Sequence, residues 1–139
     1  MGFLNSIQAL AGTGSQVSIE DVKKEWGSLL AKDEEMKVAF KTFRDYFIFT
    51  TKRLIFINAQ GITGKKIMIQ TLPYDKIMAF GVETAGVMDF NAELYIWMAG
   101  NVGGEPKIGE NVVHAKFNKD CNIYEVQAVL ADAVAGSRE

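Results

Sequence analysis

The residues able to do chemistry in this chain are few, and their surroundings limit what they can do. There is one histidine, His114, and one cysteine, Cys121. A metal site needs three or four ligands drawn from His, Cys and carboxylates, and no such spacing surrounds either residue. Nucleophilic catalysis needs a Ser or Cys beside a base that a third group orients. Cys121 opens an expected helix, where the helix N-terminus lowers a thiol pKa, but nothing around it forms a nucleophile setting. His114 alternates with Val113, Ala115 and Phe117, which puts it on the outward face of a strand. Gly61-Ile62-Thr63-Gly64-Lys65-Lys66 has the outline of a phosphate loop. The required first glycine falls on Ala59, the hydroxyl position is Lys66, and the segment leads into a strand and not a helix, so it reads as a hairpin turn. Glu83, Asp89 and Glu93 gather around one hairpin. Paired carboxylates can divide acid and base roles, but solvated charges or pairing to a neighbouring subunit explain these more simply. The expectation is a protein that is not an enzyme and holds no metal or cofactor.

The chain of 139 residues fits one domain, 1–139, and 48% hydrophobic residues supply a core. Fifteen Lys and Arg against seventeen Asp and Glu give a net charge of −2. No general positive field draws it to nucleic acid or anionic lipid. A basic stripe with stacking aromatics is also missing, so no nucleic-acid partner is expected. A single cysteine cannot form an intrachain disulfide, which fits a reducing compartment and a cytoplasmic protein. No apolar run is long enough to span a bilayer, and the N-terminus lacks the pattern of a signal peptide. Met1-Gly2-Phe3-Leu4-Asn5-Ser6 matches the myristoylation pattern, a six-residue match of low specificity.

The elements that must carry these residues follow from periodicity. Phe3, Leu4, Ile7, Leu10 and Ala11 fall at helical spacing before Gly12-Thr13-Gly14-Ser15. Ser18 with Asp21 resembles a capping box. The helix it opens is expected to reach Ala31, with Ile19, Val22, Trp26, Leu29 and Leu30 on its apolar stripe, so residues 1–31 form an N-terminal helical segment. From Val38 the period becomes two. Strands are expected at Val38–Phe43, Tyr46–Thr50, Arg53–Ile57, Lys65–Leu72, Ile77–Thr84, Ala92–Met98 and Val112–Phe117, a β region over 38–117. In the sixth, Leu94, Ile96 and Met98 should face inward, which leaves Glu93, Tyr95 and Trp97 outward. Tyr46-Phe47-Ile48-Phe49 is apolar on both faces, so a helix or a neighbouring subunit must cover its outer side. Ile123, Val126, Leu130, Ala133 and Val134 return to helical period over 121–135, with Gly136 as a stop.

Several segments in fixed order carry a family resemblance: Arg44-Asp45-Tyr46-Phe47-Ile48-Phe49-Thr50-Thr51-Lys52-Arg53-Leu54-Ile55-Phe56, Gln60-Gly61-Ile62-Thr63-Gly64-Lys65-Lys66, Pro73-Tyr74, and Val82-Glu83-Thr84-Ala85-Gly86 with Asp89 and Ala92-Glu93-Leu94. With Asn122-Ile123-Tyr124-Glu125 they make nearly the whole chain similar to the bacterial pleckstrin-homology-like domain family. The resemblance implies a mainly β fold: a pleckstrin-homology-like barrel of seven antiparallel strands in two orthogonal sheets, capped by a C-terminal helix and preceded by N-terminal helices. It also implies homo-oligomeric rings, commonly five-membered, and brings neither an activity nor an agreed ligand. The Asn101-Val102-Gly103-Gly104-Glu105-Pro106-Lys107 loop looks longer than the family's usual one.

Pleckstrin-homology domains that grip inositol phosphates place basic residues around the first hairpin. Lys41 and Arg44 match the first two places, but Tyr46 stands where the last arginine belongs, and Asp45 adds a negative charge. Lys41, Arg44, Lys52 and Arg53 are therefore candidates for weak anion binding only. Glu83, Asp89, Glu93, Tyr95 and Trp97 are candidates for an oligomer interface, apolar anchors rimmed by charge. The resulting expectation is a non-enzymatic, ring-forming scaffold or protein-interaction module whose first partner is itself. The alternative is a peripheral membrane module for anionic headgroups.

Overall fold

The computed structural model describes residues 16–86, 91–99, 112–118 and 121–137. The expected first helix, the myristoylation pattern, Asp89 and the loop at 101–107 lie outside them.

Helix α1, Ile19–Trp26, starts where the sequence places it, with the Ser18 Oγ accepting the Asp21 N–H at 3.4 Å. It ends at Trp26, five residues before Ala31, and a 3₁₀ turn over Gly27–Leu29 follows. Beyond that turn side chains take the backbone groups that helix continuation would need. Glu34 Oε1 accepts the Ala31 N–H at 2.8 Å, and Arg53 donates to the Leu29 carbonyl at 2.7 Å. Gly27 lowers the cost of stopping there.

All seven expected strands form: β1 Met36–Lys41, β2 Tyr46–Thr50, β3 Arg53–Gln60, β4 Lys66–Pro73, β5 Ile77–Glu83, β6 Asn91–Met98 and β7 Val112–Asn118. Two ends differ instructively. Phe43 belongs to the β1–β2 turn, because Thr42 Oγ1 accepts the Arg44 and Asp45 amides and closes the chain early. β3 runs on through Asn58-Ala59-Gln60, since Asp45 Oδ1 accepts the Ala59 N–H at 3.0 Å and the Asn58 side-chain amide at 3.2 Å. The turn proper falls at Gly61 and Gly64, whose φ of 75° and 68° suit glycine.

The strands form two antiparallel sheets, β1-β2-β3-β4 and β5-β6-β7. Their inner faces share one core with helix α2, Ile123–Ser137, which passes Gly136 by one residue. Phe47 stacks on Phe56 with ring centres 4.6 Å apart and leans on Phe117 of the other sheet at 5.5 Å. Val126, Leu130 and Ala133 close the same core from α2. A second cluster lies on the outer face of the first sheet, where Ala39, Ile48, Ile55 and Ile57 meet Val22, Trp26, Leu29 and Leu30. The doubly apolar β2 is explained by this cover. Each large side chain so buried contributes about 1.5–3 kcal/mol relative to exposure.

Candidate functional site

The outer face of β5-β6-β7 is built as the alternation requires, with Ala92, Leu94 and Ile96 buried while Glu93, Tyr95 and Trp97 face away from the core. Register then sets the neighbours. Glu83 lies directly across from Glu93, Gly81 from Tyr95, and Tyr95 from His114. The Tyr95 ring stacks on the His114 imidazole at 4.6 Å with planes 3° apart, and lies beside the Trp97 indole at 5.9 Å and 17°. Trp97 leans over Gly81, whose missing Cβ would lie 3.7 Å from the indole. Gly81, Val82, Glu83, Tyr95 and Trp97 line a shallow groove of about 340 Å³.

Two carboxylates frame the phenol. The Tyr95 hydroxyl donates to Glu93 Oε2 at 3.2 Å, and Glu83, opposite Glu93 on the neighbouring strand, acts on the same phenol. His114 Nε2 is 3.1 Å from Glu93 Oε1. Lost hydration and the carboxylates of Glu83 and Glu93 push the Tyr95 phenol up to about 12, so it remains a donor near neutral pH. The structure therefore brings together four of the five candidate interface residues.

The four basic candidates do not form one patch. Lys41 and Arg44 lie at one end of β2 and Lys52 and Arg53 at the other, roughly 17 Å apart along the strand. The Lys41 ammonium sits 5.3 Å from the Tyr46 ring centre, while Tyr46 itself serves α1, donating to Glu25 and packing edge-on to Trp26. Lys52 donates to the Lys32 carbonyl at 2.8 Å. Arg53 is committed internally, bonding both Glu34 oxygens at 2.9 and 3.0 Å, Leu29 and Thr71.

Residues that sequence reasoning passed over stand near these. Arg44 donates to the Gly61 carbonyl, which brings the β1–β2 turn against the β3–β4 turn and toward Lys65 and Lys66. Phe43 and Ile62 are the exposed apolar tips of those turns. On the edge strand β4, Ile67, Met68 and Ile69 are 41%, 46% and 41% exposed. The signal was present: three consecutive apolar residues break the alternation of a one-sided strand. Among the described residues no cluster of His, Cys, Asp and Glu is arranged to hold a metal ion.

A four-stranded and a three-stranded antiparallel sheet around one core, with a C-terminal helix against it, define a pleckstrin-homology-like domain. The family model described as "Bacterial PH domain" matches residues 5–134, and the chain belongs to that family. It is 43% identical over 131 residues to the YjqA protein of Bacillus subtilis (strain 168), covering 94% of this chain and 97% of the relative. The crystal structure of a pleckstrin homology domain from Shewanella amazonensis SB2B superposes with a TM-score of 0.73 at 34% identity, covering 92% of this chain and 97% of the other. A DUF1696 family protein with a pleckstrin-homology domain from Shewanella loihica PV-4 gives a TM-score of 0.66 at 32% identity, covering 86% and 96%. The family is generally non-enzymatic, and its fold suggests a protein-interaction or lipid-binding module. Among the described residues no helix is long and apolar enough to cross a membrane.

Proposed function

We propose that the protein is a non-enzymatic, self-assembling interaction module of the cytoplasm whose copies close into a homo-oligomeric ring, most simply of five. The carrying observation is the edge strand β4. Ile67 and Ile69 continue the outer apolar face of Ile55 and Ile57 past the cover of α1, and Met68 adds an apolar group on the opposite face. An edge with unpaired backbone groups and exposed apolar side chains invites a further chain. A contact between unlike patches stays finite only if its rotation closes into a ring. The outer face bearing Glu83, Glu93, Tyr95 and Trp97 offers a second surface, to a neighbouring copy or to another protein. Replacing Ile67→Glu with Ile69→Glu tests the reading by sedimentation velocity. Dissociation to folded monomers is expected, and an unchanged assembly would remove β4 from the contact.

One observation favours a second reading, a peripheral membrane module. Phe43 and Ile62 project from adjoining turns flanked by Lys41, Arg44, Lys65 and Lys66, and apolar tips ringed by basic residues suit an anionic bilayer surface. Salt-sensitive sedimentation with phosphatidylserine vesicles, lost in Phe43→Ser with Ile62→Ser, would favour it over self-assembly alone.

A further inference from the structure

We infer that the groove beside Trp97 is a receptor for an arginine side chain presented by a partner protein. The inference rests on the reading of the chain as an interaction module and names the chemistry of its outer face.

Three features of the groove converge on a planar cation. First, its floor is open at Gly81, and Trp97, 41% exposed, and Tyr95 form an aromatic wall. At about 340 Å³ it has room for a side chain or two and is small for a cofactor. Second, a tyrosine hydroxyl has one proton to give, and the Tyr95 hydroxyl gives it to Glu93. The Glu83 carboxylate, directly across from Glu93 on the adjacent strand, is left to take a donor from elsewhere. Third, Glu83 and Glu93 are directly opposed across β5 and β6, an arrangement that costs stability when both are ionised. Lys116 lies across from Glu93, but among the described residues the side chain 3.1 Å from the Glu93 carboxylate is the His114 imidazole, and no lysine or arginine lies within salt-bridge distance of Glu83.

A guanidinium answers all three. It is flat enough to lie against an indole or phenol ring, its N–H groups fork onto carboxylate oxygens, and its charge relieves the repulsion between the two glutamates. An ammonium would supply charge without the stacking plane. An anionic or neutral apolar occupant would leave the carboxylates uncompensated. The partner is accordingly a protein segment carrying an exposed arginine.

The test uses the full-length protein and a fluorescein-labelled Gly-Ser peptide containing two arginines, with the same peptide carrying citrulline as the neutral isostere. Fluorescence anisotropy should show saturable binding of the arginine peptide, at least tenfold tighter than citrulline and weakened by salt. Glu83→Gln with Glu93→Gln should lower affinity about tenfold while circular dichroism shows the parent's fold and the thermal midpoint is no lower than the parent's. Trp97→Ala should also weaken binding. Equal binding of the two peptides, or unchanged affinity in the glutamine variant, would overturn the assignment whether or not the protein assembles. Binding that appears only when the protein is diluted to monomers would assign the groove to a second copy and overturn it as a receptor for another protein. A monomeric parent that still selects arginine would sink ring formation and leave the groove standing.

Discussion

Glu34 is the most consequential buried charge among the described residues, and its replacement by glutamine has an effect that can be worked out. Its side chain has no exposure and gathers Arg53 Nε at 2.9 Å, Arg53 Nη2 at 3.0 Å, the Thr50 hydroxyl at 2.5 Å and the Ala31 N–H at 2.8 Å. Burial acts to raise the carboxyl. The Arg53 hydrogen bonds, the Thr50 hydroxyl, the Ala31 amide and the Arg53 charge together outweigh it and hold the group at about 2, against an ordinary 4.5. At about 1.4 kcal/mol per pH unit, that depression corresponds to roughly 3–4 kcal/mol as an upper figure. Arg53 retains 20% exposure, and glutamine keeps some of the hydrogen bonds, so about 2 kcal/mol is expected for Glu34→Gln at pH 7. The sign follows from the depressed folded value. The contribution is fully present above about pH 4.5 and disappears as pH falls toward 2. Urea unfolding followed by circular dichroism, at one protein concentration, should show the 2 kcal/mol gap at pH 7 and its shrinkage by pH 3. A variant within about 0.5 kcal/mol of the parent at pH 7, or a gap that does not shrink with acid, would refute the reasoning.

Three further outcomes are expected. Phe117→Ala removes a fully buried ring that joins the sheets and should cost about 3–5 kcal/mol by the same unfolding measurement. Deleting residues 1–31 strips α1 from Ile48, Ile55 and Ile57, so a clear fall in thermal midpoint or aggregation should follow, and a truncated protein as stable as the parent would show the segment dispensable. Vesicle binding should show no selectivity among phosphoinositides at physiological salt, because Tyr46 is turned to α1 and Arg53 to Glu34. Micromolar headgroup-specific affinity lost in Lys41→Ala with Arg44→Ala would contradict that.

The strands were readable because Leu94 and Ile96 alternate with Glu93, Tyr95 and Trp97, and because turn residues separate each run. Register was not readable. The opposition of Glu83 to Glu93, and of Gly81 to Tyr95, depends on a hairpin whose loop length does not fix pairing, so the groove is a product of tertiary structure. Arg53 shows the same limit from the other side. As a basic residue after a turn it looks available, yet Glu34, nineteen positions earlier, claims its guanidinium. The end of α1 escaped periodicity because Glu34 and Arg53 satisfy the backbone beyond Gly27, a competition that no local pattern records. Family resemblance supplied the arrangement of the sheets, which alternation alone leaves open.

Mass by light scattering across a hundredfold dilution of the full-length protein tests self-assembly most directly. The account predicts a discrete species near five times the 15.4 kDa chain, stable over much of that range and neither growing with concentration nor dispersing into a ladder. A species of 15.4 kDa at every concentration would contradict it.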